Sequence, residues 1–145
     1  MLLQRVSPDG AALLPISAGV GNVRLHPGDA RDLIELLPEG ALARVFLLFP
    51  DPWPKARHAA RRFANPENLA ALHSVMAPGA ELRIATDMPF YVEHALAAVA
   101  AAPGFRVAER DMAVAWPGWP GTRYEAKALK AGRRPSYLTV VREET

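Results

Sequence analysis

The sequence predicts one α/β domain built on a doubly wound, mostly parallel β-sheet, and three observations point to this fold class. First, 145 residues is the usual size of a single domain. Second, half of the residues are hydrophobic and 22% are charged, which suits a packed core and disfavours disorder. Third, short apolar segments alternate with amphipathic helical segments along most of the chain, as they do in parallel α/β sheets.

The N-terminal part of the chain is predicted to contain two helices and a strand. A helix is expected over Ala11–Ile16, and a short strand over Asn22–His26. Gly28-Asp29 ends that strand and opens a helix with an apolar face over residues 33–37. Pro38-Glu39-Gly40 contains two helix breakers, so the helix is expected to stop there.

The central part is predicted to form a buried strand and a helix. Ala43–Phe49 is an apolar run that Arg44 alone interrupts and prolines close, which is typical of a strand buried on both faces. Asn65-Pro66 begins a helix, because asparagine is a good N-cap and proline suits the first helical position. Pro78-Gly79 is expected to end this helix.

The C-terminal part is predicted to contain three strands and one long helix. Glu81–Ala85 forms the first of these strands, and a helix follows over Pro89–Ala101. Phe105–Ala108 and Tyr137–Val141 are the last strands, and a loop rich in tryptophan and proline separates them.

Three acidic residues follow predicted strands, namely Asp29, Asp51 and Asp87. Ligands of doubly wound sheets bind beyond the carboxyl ends of the strands, so these acids are candidate functional residues. Asp29 and Asp87 also precede helices, where a role as N-cap is the simpler alternative.

Basic residues concentrate in two segments of the chain. Residues 55–62 and 122–134 together hold nine of the 17 lysines and arginines but one of the 15 acidic residues, although the net charge is only +2. Such clusters suit a polyanionic partner, because each phosphate that is neutralised releases counterions. A solvated charged surface is the alternative interpretation.

The most informative segment is Phe49-Pro50-Asp51-Pro52-Trp53-Pro54, which the first basic segment follows. Its three prolines restrict the backbone, so Asp51 and Trp53 are expected on a stiff loop at the end of a strand. A carboxylate can accept hydrogen bonds from a nucleobase edge, an aromatic ring can stack on the base, and cations can hold the phosphates. The alternatives are a turn residue for Asp51 and a core residue for Trp53.

Several function classes are disfavoured by composition. The chain has no cysteine, which excludes disulfides, thiol nucleophiles and cysteine-ligated metals. Its four histidines lack the spacing of metal ligands, so we expect no metal. No apolar run has the length of a transmembrane span, and residues 1–10 do not resemble a signal peptide. We therefore expect no membrane partner and a cytoplasmic location.

Four motifs in a fixed order resemble one known family. They are Gly28-Asp29-Ala30, Phe49-Pro50-Asp51-Pro52-Trp53 with its basic run, Ala85-Thr86-Asp87 with Tyr91, and Thr122-Arg123-Tyr124-Glu125 with Gly132. Over residues 22–142 the chain thereby resembles the bacterial tRNA (guanine-N7-)-methyltransferases. The resemblance implies a Rossmann-like class I methyltransferase sheet that uses S-adenosylmethionine. It also implies tRNA as partner, with methylation at N7 of the variable-loop guanosine, position 46.

The resemblance implies roles for the matched residues. Asp29 would contact the adenine end of the cofactor, and Asp51, the catalytic candidate, would lie where cofactor and target base meet. The implied substrate-binding residues are Lys55, Asp87, Thr122, Arg123, Tyr124 and Glu125. The implied RNA-binding residues are Arg57, His58, Arg61 and Arg62. For Glu125, an ion pair with a neighbouring arginine is the alternative.

This sequence departs from the family pattern near the N-terminus of the chain. The family's first strand and glycine-rich cofactor loop are expected before residue 1, and Gly19-Val20-Gly21 precedes a predicted strand instead of following one. If Ser7-Pro8 is aligned, a second family acid falls near Gln4, which is neutral. We therefore expect an N-terminally truncated domain whose sheet is completed by a missing segment or a partner chain. Such a chain is expected to bind S-adenosylmethionine weakly or not at all by itself.

The residues leave three functions open. N7 of guanine has a lone pair and no proton, so its methylation needs orientation and charge stabilisation by Asp51 and no general base. A noncatalytic RNA-binding remnant of the same fold is one alternative. An adenine amino-methyltransferase is another, but Asp51-Pro52-Trp53 has one proline where that motif has two, and the basic run has no role in it.

Overall fold

The computed structural model describes residues 1–5 and 23–144, and this part of the chain forms a five-stranded sheet and four α-helices. In chain order the elements are β1 (Leu2–Arg5), α1 (Ala30–Ile34), β2 (Leu42–Leu48), α2 (Pro66–Val75), β3 (Met76–Thr86), α3 (Pro89–Ala101), β4 (Phe105–Met112), α4 (Arg123–Lys130) and β5 (Ser136–Arg142). A 3₁₀ helix, Ala56–Arg61, lies between β2 and α2. The strand order is β1-β2-β3-β5-β4.

The sheet is mixed. Strands β2 and β3 are parallel, whereas the pairs β1–β2, β3–β5 and β4–β5 are antiparallel. The predicted α/β class is confirmed, but the expected mostly parallel sheet is corrected to one with a single parallel pair among the described strands. The reason is that β5 inserts between β3 and β4 after a long connection, and the hydrophobic period of a strand does not encode its direction.

Two hydrophobic clusters cover the two faces of the sheet. The larger packs α1, α2 and α3 against the face that carries Val45 and Ile84. The smaller packs Trp116, from the segment after β4, against the face that carries Phe46 and Ala85. Successive strand residues point to opposite faces, so the apolar residues of β2, which Arg44 alone interrupts, supply both clusters.

The helix starts follow the local signals in the sequence. The Asn65 side chain accepts a hydrogen bond from the Asn68 backbone N–H at 2.8 Å, and Pro66 occupies the first turn of α2. Helix α3 has the bounds expected for it, Pro89–Ala101. Helix α1 is shorter than expected, because the segment after Ile34 continues as turns before Gly40.

The expected strand over Asn22–His26 is not observed. Residues 23–26 lie outside regular structure, and Asn22 lies outside the described residues. The described edge of β2 is instead paired with β1, which leaves no hydrogen-bonding partner there for another strand. The helix expected over Ala11–Ile16 also lies outside the described residues, as do Ser7-Pro8 and Gly19-Val20-Gly21.

The helix end that the sequence predicts at Pro78-Gly79 is not observed. Helix α2 already ends at Val75, and Pro78-Gly79 lies within β3. The register there shifts between the pairs Leu42–Met76 and Arg44–Glu81, so the proline and glycine occupy a bulge. No described helix combines the length and hydrophobicity required to cross a bilayer.

Candidate functional site

Several segments of the chain leave the sheet at one edge. Leu48, Ala85, Tyr137 and Met112 are neighbours in a row across β2, β3, β5 and β4. Three of these strands end at or next to this row, and β5 begins there. We call the residues that emerge from it the site edge: residues 49–62, 87–88, 113–125 and 131–135. Asp51, Asp87 and residues 122–125 of the predicted site therefore lie on segments of one edge.

Residues 49–54, the Asp51 loop, have a strained backbone. The Phe49 N–H donates to the Ala85 carbonyl at 2.8 Å, which continues the pairing with β3 into the loop. Phe49 and Trp53 have φ angles of 47° and 45°, in the left-handed region that bulky residues rarely adopt. Such conformations cost about 1–3 kcal/mol each and persist where surrounding contacts hold them. The loop at the end of β2 is thus a defined, non-repetitive structure.

Asp51 lies exposed on this loop. Within the described part of the chain, its carboxylate has no hydrogen bond and no ion pair. Its oxygens therefore keep their full capacity to accept hydrogen bonds from a ligand. The alternative interpretation of Asp51 as a turn residue is not supported, because its side chain makes no hydrogen bond or ion pair in the described part of the chain.

Arg62 differs from the other residues of the predicted RNA-binding set, because it is only 8% exposed. Its Nε donates to the Pro52 carbonyl at 2.9 Å, and its Nη2 donates to the Trp53 carbonyl at 3.0 Å. Its Nη1 lies 3.1 Å from Nδ1 of His94. The guanidinium is thus engaged with the protein's own atoms and shielded from solvent. The predicted RNA contact of Arg62 is not supported by this burial, and its observed contact is with the Asp51 loop.

The rest of the first basic segment faces solvent. Lys55, Arg57 and Arg61 are exposed, and His58 is half-buried. The Arg61 guanidinium lies 4.9 Å from the centre of the Trp53 ring, and His58 meets the same ring edge-on. Trp53 is half-buried and belongs to neither core cluster of the described residues, so the core-residue alternative for it is not supported.

Asp87 is paired across the site edge. Its Oδ2 accepts a hydrogen bond from Nε of Arg133 at 2.6 Å, and the aspartate side chain is mostly buried in this ion pair. The N-cap alternative for Asp87 is wrong, because the N-cap of α3 is Met88. Asp87 therefore connects the end of β3 to the segment before β5.

The start of α4 brings three of the predicted substrate-binding residues into the site edge. Thr122 is the N-cap, and its Oγ1 accepts from the Glu125 N–H at 3.1 Å. Glu125 accepts a hydrogen bond from the Tyr137 hydroxyl, so the alternative of an arginine partner is wrong. Tyr124 is 68% exposed and stacks on Phe49 with ring centroids 6.5 Å apart.

Gly121 allows this arrangement at the start of α4. Its φ is +83°, and a Cβ at this position would lie 2.7 Å from Oε2 of Glu125. A larger residue would therefore push the Glu125 carboxylate away from Tyr137. Arg123, the remaining residue of this motif, is exposed.

Asp29 lies apart from these contacts, at the start of α1. It is the N-cap, and its carboxylate accepts hydrogen bonds from the Arg31 backbone N–H at 2.9 Å and from Arg31 Nη2 at 2.6 Å. These bonds lower the pKa of the Asp29 carboxyl from 3.8 to about 2. The N-cap alternative is confirmed, and the exposed carboxylate is ionised at neutral pH.

Sequence reasoning missed the partners of the site residues. Arg133, Phe49 and Tyr137 bind Asp87, Tyr124 and Glu125 respectively. Arg133 was visible only as one cation of the second basic segment, and Tyr137 only as a strand residue. No local pattern could have matched residues that lie 12 to 75 positions apart.

The described residues were also compared with the requirements of a metal site and of a ligand cavity. No three histidine or acidic side chains among them are grouped as a metal site would require. A cavity of about 320 Å³ lies between α1 and α2, lined by Ile34, Leu37, Val75 and neighbouring residues. None of its lining residues belongs to the predicted site.

Comparison with known sequences gives a consistent result. A family model described as "Putative methyltransferase" matches residues 4–137. The tRNA (guanine-N(7)-)-methyltransferase of Paracoccus denitrificans is 55% identical over 123 residues, which are 85% of this chain and 52% of that protein. The enzyme of the same name from Jannaschia is 52% identical over 126 residues, 85% of this chain and 53% of that protein. The chain thus spans about half the length of the curated relatives it matches.

Comparison with solved structures supports the fold. A protein of Thermus thermophilus described as a "Putative DNA Modification Methylase" superposes with a TM-score of 0.53 at 18% identity. The match covers 84% of this chain and 54% of that one. At this identity the likeness shows the α/β methyltransferase fold alone.

Proposed function

Because this chain belongs to the methyltransferase family whose model matches residues 4–137, we propose that it acts in S-adenosylmethionine-dependent methylation of tRNA at guanine N7. The target in this proposal is the variable-loop guanosine, position 46. The proposal rests on relatives named for this activity and on the resemblance of the four motifs. The tRNA partner and a cytoplasmic location belong to the same proposal.

The observation that carries the proposal is the unpaired carboxylate of Asp51 on a strained loop at the site edge. Guanine presents N1–H and N2–H donors, from which a carboxylate can accept hydrogen bonds. The same carboxylate favours the positive charge that the purine gains when N7 is alkylated. N7 carries no proton, so Asp51 serves orientation and charge stabilisation and removes no proton.

The cofactor role assigned to Asp29 and Asp51 fits their chemistry. When bound, S-adenosylmethionine supplies a methyl group activated by the sulfonium sulfur. Both carboxylates are exposed, and each can accept hydrogen bonds from amino or hydroxyl donors of such a ligand, although at Asp29 these donors compete with Arg31. Asp51 is proposed to face both cofactor and base.

The substrate role is proposed for the remaining residues of the site edge. Lys55, Arg57, His58 and Arg61 offer a basic surface beside Asp51 that suits RNA phosphates. The exposed ring of Tyr124 and the cation Arg123 lie at the start of α4, where RNA bases and phosphates can be contacted. Thr122, the N-cap, positions the first turn of α4, and Asp87 and Glu125, held by Arg133 and Tyr137, complete the proposed substrate-binding residues.

A methyl-transfer assay tests the proposal. Two forms are assayed: the 145-residue chain alone, and the chain joined to the part of the Paracoccus denitrificans relative that its match leaves uncovered. Each is incubated with isotopically labelled S-adenosylmethionine and a tRNA transcript, and the nucleosides are separated by mass spectrometry. A transcript with adenosine in place of the variable-loop guanosine is the matched control.

The expected result is labelled 7-methylguanosine in the guanosine transcript and none in the control. Label in N6-methyladenosine would support an adenine amino-methyltransferase instead. Tight tRNA binding by both forms without any methyl transfer would overturn the proposal in favour of a noncatalytic RNA-binding protein. Calorimetry with S-adenosylmethionine, run on both forms, separates loss of cofactor binding from loss of chemistry.

A further inference from the structure

Arg62 is a buried cation whose contacts, within the described ranges, include no carboxylate. Its nitrogens contact the carbonyl oxygens of Pro52 and Trp53 and the ring of His94. One face of the guanidinium is covered by the Phe90 ring, 5.2 Å away. Burying a guanidinium is costly unless its donors are satisfied, and the planar fork is what allows it to reach two carbonyls at once.

His94 ties this guanidinium to α3. Its Nε2 lies 2.7 Å from the Ala64 carbonyl, which can only accept, so Nε2 carries the hydrogen. Nδ1 is then the acceptor for Nη1 of Arg62. The Ala64 N–H in turn donates to the hydroxyl of Tyr91, another residue of α3. The helix therefore holds both Arg62 and the backbone next to it.

We propose that Arg62, oriented by His94, is a positioning residue that holds the Asp51 loop in its strained conformation. Both of its carbonyl contacts lie directly after Asp51, and one of them belongs to Trp53, whose φ is 45°. A left-handed tryptophan persists only where neighbouring contacts outweigh its cost. Holding these two peptide groups restricts the direction in which the Asp51 carboxylate leaves the loop. The proposal rests on the proposed function only for what Asp51 then binds.

Fluorine NMR tests the structural part without any ligand. The chain has three tryptophans, and 5-fluorotryptophan labelling gives one resonance for each. In Arg62→Met, the Trp53 resonance is expected to shift and broaden, whereas Trp116 and Trp119, packed in or against the smaller core cluster, stay unchanged and report an intact fold. Arg57→Met, which removes an exposed arginine of the same segment, is the control and should leave all three resonances in place.

Two conservative variants separate fork geometry from charge. Arg62→Lys keeps a cation but not the fork, so it is expected to resemble Arg62→Met. His94→Gln retains an amide oxygen that can accept from Arg62 and is expected to preserve most of the Trp53 signal. An unchanged Trp53 resonance in Arg62→Met, or full recovery by lysine, would overturn the proposal.

The functional part is tested in whichever assayed form transfers methyl groups. Arg62→Met is expected to lower kcat at least about tenfold while KM for tRNA and its salt dependence change less than twofold, because misplacing a positioned group costs turnover. Arg57→Met should instead raise KM and weaken the salt dependence. A reduced salt dependence in Arg62→Met would show direct phosphate contact and contradict the proposal. If neither form transfers methyl groups, the proposed function fails, and the fluorine spectra still decide on the loop.

Discussion

At the scale of single residues, the two acids assigned to the cofactor have opposite surroundings. The Asp29 carboxylate is occupied by the N–H and guanidinium of Arg31, whereas Asp51 has no partner in the described part of the chain. An anion without a partner on a strained loop contributes nothing evident to the fold. Its presence there is explained most simply by a ligand, which makes Asp51 the residue whose replacement is most informative.

Asp51→Asn removes the charge and keeps the shape of the side chain. We expect methyl transfer to fall by about 10²-fold or more, because the developing positive charge on the purine loses its partner. Affinity for tRNA should change less than about twofold, since the cations that hold phosphates are untouched. Initial rates and filter binding measure the two effects. Glu93→Gln, at an exposed acid on α3, is the control, and undiminished turnover in Asp51→Asn would remove it from the mechanism.

The Asp29–Arg31 pair predicts a pH dependence of stability. The folded pKa of Asp29, about 2, lies below the ordinary value of 3.8, so the pair stabilises the fold above about pH 4 and this contribution is lost as pH falls toward 2. In Arg31→Met we expect the pKa of Asp29 to rise toward 3.8, measured by carboxyl ¹³C NMR. The difference in urea midpoint between this variant and the parent chain should shrink from pH 5 to pH 2. A constant difference would show that the guanidinium does not act through Asp29.

At the scale of elements, the junction of the 3₁₀ helix with α2 depends on one side chain. Asn65 Oδ1 accepts from the Asn68 N–H, and its Nδ2 donates to the Arg62 carbonyl at 2.9 Å. The same residue thus begins α2 and holds the backbone of the residue that contacts the Asp51 loop.

Asn65→Ala is expected to lower the free energy of unfolding by about 1–2 kcal/mol, because both hydrogen bonds are lost at a helix N-terminus. Urea denaturation followed by circular dichroism measures the change. Asn65→Asp keeps the acceptor for the Asn68 N–H and should cost less than alanine. Equal losses in the two variants would assign the stabilisation to the Nδ2 contact instead of the cap.

Helix α4 shows where local patterns fail at this scale. The sequence predicts no helix between the last two strands, but residues 123–130 form one, of which only Ala128 is buried. Its cap, Thr122 followed three residues later by Glu125, is present in the sequence within the motif that resembles the family. The capping pattern was the signal that could have revealed the helix.

For the whole molecule, the topology of the sheet places basic residues from two distant segments at the site edge. The first basic segment follows β2, Arg123 begins α4, and Arg133 follows that helix, all in segments at the same edge. Because β2 and β3 are parallel and β5 is antiparallel to β3, the ends of two strands and the beginning of the third meet there. Two segments that lie 60 residues apart in sequence can therefore contribute to one surface.

Replacing Arg57 and Arg61 together by alanine is expected to weaken tRNA binding. Each phosphate contact contributes roughly 0.7–0.9 to the slope of log affinity against log salt concentration, and the steepness of this slope should fall by the contribution of up to about two contacts. Fluorescence anisotropy at several salt concentrations measures the slope. Arg106→Ala is the control, because Arg106 lies at the opposite end of β4, next to the pair Phe105–Arg142. The same slope in the double variant as in the parent chain would show that these arginines face away from the RNA.

The local features of this protein follow from its amino-acid sequence alone. The buried strand β2, the start of α2, both ends of α3 and the exceptional loop after β2 follow from apolar runs, caps and prolines, which act over a few residues. The motifs that point to the methyltransferase family are equally local. These features are readable because each depends on the conformational preference of a short segment.

The partners of the site residues and the directions of the strands depend instead on contacts between segments that are distant in sequence. In the folded chain, the Arg62 side chain is buried against a loop 10 residues away, and Asp87 pairs with Arg133 across 46 residues. Strand β5 lies antiparallel between β3 and β4. In sequence, Arg62 is indistinguishable from the exposed Arg61 beside it. Its burial is set by the contacts with His94 and the Asp51 loop, and such contacts between distant segments exist only once the chain has folded.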